Sequence, residues 1–325
     1  MENENKSSKK KLLILLLLLL FLIIFGIALY MDLKKEKSYI IPDFTYEGID
    51  YKKKDNIDLL FFAGIDSIDR HVFEKGSYQN DYAADTIILF VLDKNADTIT
   101  PIHINSELMC DYDISSSYGK EVGKIYGQAN YAHAYGSGGI DSLINVKDTV
   151  RGFMTGVSIE YYLSTTMDSI PEVNDAFNYV KVYVEDDFSS IDPSIKQHEV
   201  NTLVGQQSLT FISSKIGVGD GTNVSRMNRQ KVYFDALFNK VKEKSKENPD
   251  LIADTYESVI EYICSNSDIY ELTNLTNVFI EYDLQDPVMI KGDLKENEDG
   301  TTCYIPNEKD IIPVCIEYFY NRINY

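Results

Sequence analysis

Two arginines stand three residues apart, Arg226 and Arg229, in the run TNVSRMNRQ, just behind a glycine-bearing stretch, GVGDG, at 217–221. On a helix, positions i and i+3 share one face. A guanidinium is a planar fork that matches two oxygens of one phosphate. A helix start adds unpaired N–H groups at the positive end of the dipole. Gln230 lies one position round and offers a neutral donor. From Lys215 to Lys231 the basic residues are Lys215, Arg226, Arg229 and Lys231 and the only acid is Asp220, so four minus one leaves +3. That is the chemistry of a pyrophosphate cradle; a solvated helix face paired with surface acids has the same spacing.

The carboxylates that such a cradle would need are Asp85, in Ala83-Ala84-Asp85-Thr86 ahead of an apolar run, and Asp66, in AGIDS behind another. A carboxylate at a strand end is poorly placed for packing and well placed to bind Mg²⁺ or take a proton. Capping of nearby N–H groups in a turn is the alternative role. A third feature, QANYAHAYGSGG from Gln128 to Gly139, combines small residues, aromatic faces and a glycine turn suited to lining an apolar cleft, with His133 as a structural histidine.

The background makes the basic cluster informative. The 325 residues carry 51 acidic and 31 basic side chains, a net charge of −20. Nucleic-acid binding needs a basic footprint, so that class is excluded. The four cysteines, Cys110, Cys264, Cys303 and Cys315, show neither CxxC nor zinc-type spacing. Cys303 and Cys315 would face each other across a C-terminal hairpin, or all four are buried thiols.

These residues need a scaffold. Lys9, Lys10 and Lys11 precede an apolar run of 20 residues, Leu12 to Met31. At about 1.5 Å per residue it spans the roughly 30 Å of a bilayer core, and no small-residue cleavage site follows it. The expected organisation is a cytoplasmic segment 1–11, a transmembrane anchor 12–31, a linker 32–55 and one extracellular domain 56–325, held at the cell membrane by a single pass. Apolar runs predict strands over 57–63, 86–92 and 98–104, with Pro101 marking an edge or bulge. Further strands are expected over 159–164 and 180–184. Helices are predicted over 140–154, 168–177, 200–213, 226–244 and 251–264, and the tail from 288 reads as strand, loop and helix. Alternating strands and helices indicate a layered α/β/α fold around a central mixed sheet.

In this order the pieces resemble the LytR-CpsA-Psr family, also called the cell-envelope-related transcriptional attenuator family. Asp85-Thr86 is similar to its S-D-T motif, Gln128 to Gly136 to its Q-x-x-x-A-H-A-Y-G stretch, and Ile159 to Tyr162 to its I-D-Y-Y strand. Gly205 to Lys215 resembles G-x-Q-A-L-x-[FY]-V-R-x-R, and GDGTNVSRMNRQ resembles G-D-G-T-N-x-S-R-x-x-R-Q. The resemblance implies a membrane-anchored phosphotransferase that moves a glycopolymer phosphate, such as teichoic acid or capsule, from a polyprenyl-diphosphate carrier to peptidoglycan. It implies Arg226, Arg229 and Gln230 on the diphosphate, Asp85 on Mg²⁺ with Asp66 beside it, and Lys215 and Gln128 toward substrate. It also implies an apolar cleft for the polyprenyl tail.

Departures accompany the match. Ser106 and Glu107 stand where the family has I-P-R-D, Ser213 and Lys215 fall in the V-R-x-R segment, and Ala83 takes a position that is often arginine. A charge-assisted phosphate contact is worth about 1.5–3 kcal/mol, and losing a transition-state donor costs about 10²–10³ in rate. Two functions therefore follow: a phosphotransferase of altered substrate or reduced rate, or a non-catalytic relative that binds polyprenyl diphosphate or a wall-assembly partner.

Overall fold

The computed structural model describes residues 40–67, 82–116, 118–296 and 302–324. The apolar run 12–31 lies outside them, and among the described residues no helix is long and apolar enough to cross a membrane. In chain order the leading strands are β1 (Phe44–Tyr46), β2 (Ile49–Lys53), β3 (Ile57–Ile65), β4 (Ala84–Asp93), β5 (Thr98–Ile104), β6 (Met109–Ser115) and β7 (Glu121–Gln128). Then come α1 (Tyr131–Ala134), α2 (Gly139–Phe153), β8 (Tyr161–Thr166), α3 (Ser169–Ala176), β9 (Val180–Tyr183), β10 (Val200–Leu203), α4 (Gln206–Ser213), α5 (Asn223–Glu247) and α6 (Leu251–Val259). The chain closes with β11 (Ile263–Ser265), α7 (Ile269–Glu281), β12 (Asp283–Leu284), β13 (Val288–Met289), β14 (Gly292–Glu296), β15 (Thr302–Pro306), α8 (Glu308–Phe319) and β16 (Tyr320–Arg322).

The central sheet runs β11-β8-β3-β4-β5-β12, with β13 also paired to β5. It is mixed: β3 is antiparallel to β4 and parallel to β8, and β5 is antiparallel to β4 and parallel to β12 and β13. Pro101 falls between the short stretches of β5 that pair with β12 and with β13, so its missing N–H interrupts no ladder on that side.

Side chains of β3 alternate between two apolar layers. Leu59, Phe61, Ala63 and Ile65 are buried with Leu143, Val146 and Val150 of α2. Leu60 faces the other way and packs with Leu92, Ile99, Phe238 and Phe279, bringing α5 and α7 onto the opposite face. The period of two thus converts one apolar strand into the middle layer of an α/β/α sandwich.

Four stretches differ from the expectations. Residues 200–203 are strand, not helix: β10 pairs antiparallel with β9, and Gly205, at φ +53°, separates it from α4. The helix from Leu251 stops at Val259, and 263–265 instead pairs with β8. Part of the stretch read as linker forms β1 and β2; β2 pairs with β1 on one side and the C-terminal β16 on the other, and Tyr51 is buried. The segment Gln128 to Gly139 buries Ala129 and Ala132 in the core against the sheet rather than facing a large apolar cavity. Cys303 and Cys315 are both buried thiols, and burial pushes the thiols of Cys110 and Cys315 up to about 12 and Cys264 up to about 11, so none of those three is a ready nucleophile.

One buried amide joins three elements. Asn174 of α3 donates to the Leu203 carbonyl at 2.8 Å and accepts from the Val180 N–H at 3.1 Å. Replacing it strands two buried backbone groups, each costing about 1–3 kcal/mol. Asn174→Ala is expected to lower stability by about 2–4 kcal/mol. Urea unfolding checks this, and a loss below about 0.5 kcal/mol would show that water replaces the amide.

Candidate functional site

The site forms where α5 begins above the end of β4. Thr222 caps the helix, its hydroxyl accepting from the Ser225 N–H at 3.2 Å, while Asp220 accepts from both the N–H and the hydroxyl of Thr222. Gly219 has φ +59°, and a Cβ there would come within 3.0 Å of the Asp186 carboxylate and closer still to Ser225. Both the conformation and the space require glycine. The glycine-bearing run therefore serves to deliver α5 at a fixed angle.

Arg226 and Arg229 leave that helix on one side and then diverge. Arg226, 5% exposed, donates from Nη1 to Asp85 Oδ2 at 2.5 Å. Its Nη2 reaches the Asp85 carbonyl at 3.2 Å and Ser106 Oγ at 3.3 Å, and its Nε reaches Asn223 Oδ1 at 2.8 Å. Of the guanidinium's five protons, one on Nη1 has no acceptor among the described residues. Arg229 is equally buried, but it donates to Asp186 at 2.6 Å, to the Phe211 carbonyl at 3.1 Å, to Ser225 at 3.3 Å and to the Ser214 carbonyl, and it lies over the Phe188 ring. The first arginine faces a cleft; the second fastens the α4–α5 junction.

That cleft encloses about 440 Å³ of space open to solvent, with Arg226, Asp66, Asp85, Thr86 and Ser213 in its wall. Asp66 stands at its mouth. Partial burial, and then the Asp85 charge, push the Asp66 carboxyl above its ordinary range, with Arg226 opposing. Asp85 and Asp66 are hard oxygen donors on one wall, and their mutual repulsion is what a divalent cation would relieve. Mg²⁺ keeps most of its waters and needs only one or two carboxylates besides substrate phosphates, so the pair fits it.

The remaining candidates lie behind this wall. Lys215 is paired with the buried Glu107 at 2.6 Å. Thr302 donates to the other Glu107 oxygen at 3.1 Å, and Gln128 donates to the Thr302 carbonyl at 2.6 Å. Lys215 and Gln128 thus belong to one network that neutralises Glu107. Gln230, 2% exposed, donates to Thr86 Oγ1 at 2.9 Å and to the Ile212 carbonyl at 3.3 Å. Ser106 is no empty slot: it is buried, and its hydroxyl accepts from Arg226 and from Asn223 at 3.1 Å. His103 was not singled out by spacing. It lies on β5 opposite Ile88, nearly fully buried, and its polar neighbour is the Gln230 amide.

Beyond the polar wall the surroundings become apolar. Two further pockets, about 810 and 1000 Å³ counted together with the solvent-open space at their mouths, lie between the sheet and α5, α6 and α7; Leu237 and Val241 line both. Phe62 and Phe234, set edge to face at 6.3 Å, line both of these and the polar cleft as well. A charged headgroup in the cleft would have an apolar path continuing from it.

Burial pushes His103 and His133 down to about 4 from the usual 6.5. Both are neutral in the fold, while the unfolded chain protonates them below about pH 6.5. Their contribution is therefore fully present above about 6.5 and is lost as pH falls through the folded value near 4. Between these limits stability is expected to fall by up to about 1.4 kcal/mol per pH unit per histidine. Urea midpoints from pH 7.5 to 4.5 check the slope, and His133→Gln should flatten it; an unchanged slope in that variant would contradict the assignment.

The profile of the LytR_cpsA_psr family matches residues 24–314. No curated protein sequence matches the chain. Among solved structures, TagT of B. subtilis is 16% identical with a TM-score of 0.58, covering 88% of this chain and 94% of its own. A structure of TagT bound to LI-WTA is 18% identical at TM-score 0.59, covering 81% and 90%. Protein gbs0355 of Streptococcus agalactiae is 14% identical at TM-score 0.62, covering 82% and 90%. At these identities the likeness is one of fold, and the family rests on the profile, which spans nearly the whole sequence: the chain belongs to the LytR_cpsA_psr family.

Proposed function

We propose that this protein is a cell-envelope glycopolymer phosphotransferase, drawing a glycopolymer phosphate from a polyprenyl-diphosphate carrier and passing it to a peptidoglycan hydroxyl. The observation that carries the reading is a single guanidinium, Arg226, paired with Asp85 and sharing its cleft wall with Asp66, at the head of an apolar passage. A polyprenyl diphosphate has the same division, with adjacent phosphates on a long hydrocarbon. TagT bound to LI-WTA, on the same fold, supports a wall teichoic acid type of donor. The apolar run 12–31 would anchor the domain at the outer face of the cell membrane, where both carrier and peptidoglycan are reached.

In the step proposed, the acceptor oxygen attacks the phosphorus bonded to the glycopolymer. The new P–O bond forms as the bridging P–O bond breaks, and polyprenyl monophosphate leaves. Asp66, whose carboxyl is raised and which faces solvent at the mouth, is the base fitted to take the acceptor proton. Arg226 donates its remaining Nη1 proton to a phosphate oxygen and holds charge that shifts toward the leaving group. Mg²⁺, held by Asp85 and substrate phosphates, would add charge neutralisation when bound and leave Asp66 to act as the base. The walls lined by Phe62 and Phe234 keep the tail and exclude water.

A specific observation favours binding without turnover as a second reading. Arg226 is the one cationic side chain in the cleft wall among the described residues, since Ser213 lies in that wall, Lys215 is paired with Glu107 and Arg229 with Asp186. Both readings require the donor to bind at Arg226. Arg226→Ala is expected to weaken affinity for a short-chain polyprenyl diphosphate by tenfold or more, measured by calorimetry on the full chain in detergent. Equal affinity would place the anion site elsewhere. Transfer of labelled glycopolymer to peptidoglycan by the native chain separates the readings: turnover supports the enzyme, and tight binding without turnover the second.

A further inference from the structure

Gln230 and His103 each leave one buried polar atom without a partner, Oε1 of the amide and Nε2 of the ring. The two side chains are neighbours across the β5–α5 contact. The amide cannot be turned over, because its nitrogen donates to the Ile212 carbonyl and an oxygen there would face another oxygen. With its proton on Nε2 the imidazole offers the donor that Oε1 lacks, which would fix the Gln230 amide. Its nitrogen then donates to Thr86 Oγ1 at 2.9 Å.

Thr86 is the last member of this relay, and it differs from the others in reaching the cleft. With its oxygen accepting from Gln230, its own proton must point away from that bond. Among the described residues no acceptor takes it. Thr86 faces Gly64 across the β3–β4 pair, and a Cβ at Gly64 would stand 3.1 Å from the Thr86 Cβ. The hydroxyl therefore has an open side only because residue 64 is glycine.

We infer that Thr86 is a substrate-binding residue, donating a hydrogen bond from its hydroxyl to a phosphate oxygen of the bound lipid, and that His103 and Gln230 are positioning residues that orient it. The inference rests on the reading of the cleft as a lipid-phosphate site. It gives the site a neutral donor beside Arg226, in a wall where Ser213 stands in place of arginine. It also gives Gln230 an indirect role, through Thr86 rather than on the phosphate itself.

The test is calorimetry on the full chain in detergent with Mg²⁺, using farnesyl diphosphate as probe and inorganic pyrophosphate as a second arm. Thr86→Val keeps the shape and removes the hydroxyl; affinity for farnesyl diphosphate should fall about tenfold, the loss of one hydrogen bond to a charged group, with a modest drop in Tm because the Gln230 N–H loses its acceptor. Thr86→Ser, which keeps the donor, should bind within about twofold to threefold of the native chain. His103→Leu should lose affinity, because it strands the Gln230 oxygen and frees the amide to turn, and His103→Gln, which keeps a donor, should restore part of the loss. Equal affinity in Thr86→Val, or an equal loss in Thr86→Ser, would overturn the assignment while leaving the cleft reading intact. No binding of farnesyl diphosphate by the native chain would overturn both. Binding of pyrophosphate as tight as farnesyl diphosphate, with the same Thr86→Val loss, would keep the Thr86 contact and assign the site to free phosphate.

Discussion

The buried ion pair between Arg226 and Asp85 is the contact around which the site is arranged. A guanidinium 5% exposed is costly unless its charge and its N–H groups are met. Asp85 meets the charge at 2.5 Å, and Asn223, Ser106 and the Asp85 carbonyl meet the remaining donors save one. Because these partners come from β4, from the loop after β5 and from the first turn of α5, the pair fixes the helix start over the sheet end. A phosphate entering the cleft meets the one Nη1 proton this pair leaves open, so the contact that fixes the helix start also aims the donor.

Around this pair the surplus positive charge of the 215–231 segment is largely absorbed. Lys215 meets Glu107, Arg229 meets Asp186, and Lys231 meets Asp235 and Asp286. The pairs divide the work. Those of Lys215 and Arg229 hold the α4–α5 junction and the β6–β15 side in place, and Arg226 is left as the cation that faces the cleft. The apolar cavities under α5 to α7 supply the complementary half, where a hydrocarbon gains from leaving water and a headgroup does not.

Much of the scaffold was legible from local pattern. The runs that became β3, β4 and β5 are bounded by glycine, aspartate or turn residues, and α5 follows a threonine cap. What escaped was set by distant partners. Val200 and Asn201 look helical until Tyr183 and Val182 of β9, 17 and 19 residues upstream, pair with them. The stretch before Asn56 looks like a spacer until the last strand of the chain joins it. At the site, spacing put Arg226 and Arg229 on one helix face, but it carried no sign of Asp186, which draws Arg229 away. Nor did it show His103, on another strand, behind Gln230. A glutamine and a histidine 127 positions apart reveal their relation only through the packing of α5 on β5.

The most direct measurement of the central claim is a crystal structure of the protein with a short-chain polyprenyl diphosphate and Mg²⁺. The account predicts a phosphate oxygen within hydrogen-bonding distance, about 3 Å, of Arg226 Nη1, with the hydrocarbon lying against Phe62 and Phe234. Density for the diphosphate away from Arg226, or a tail lying in solvent with the cavities under α5 empty, would contradict it.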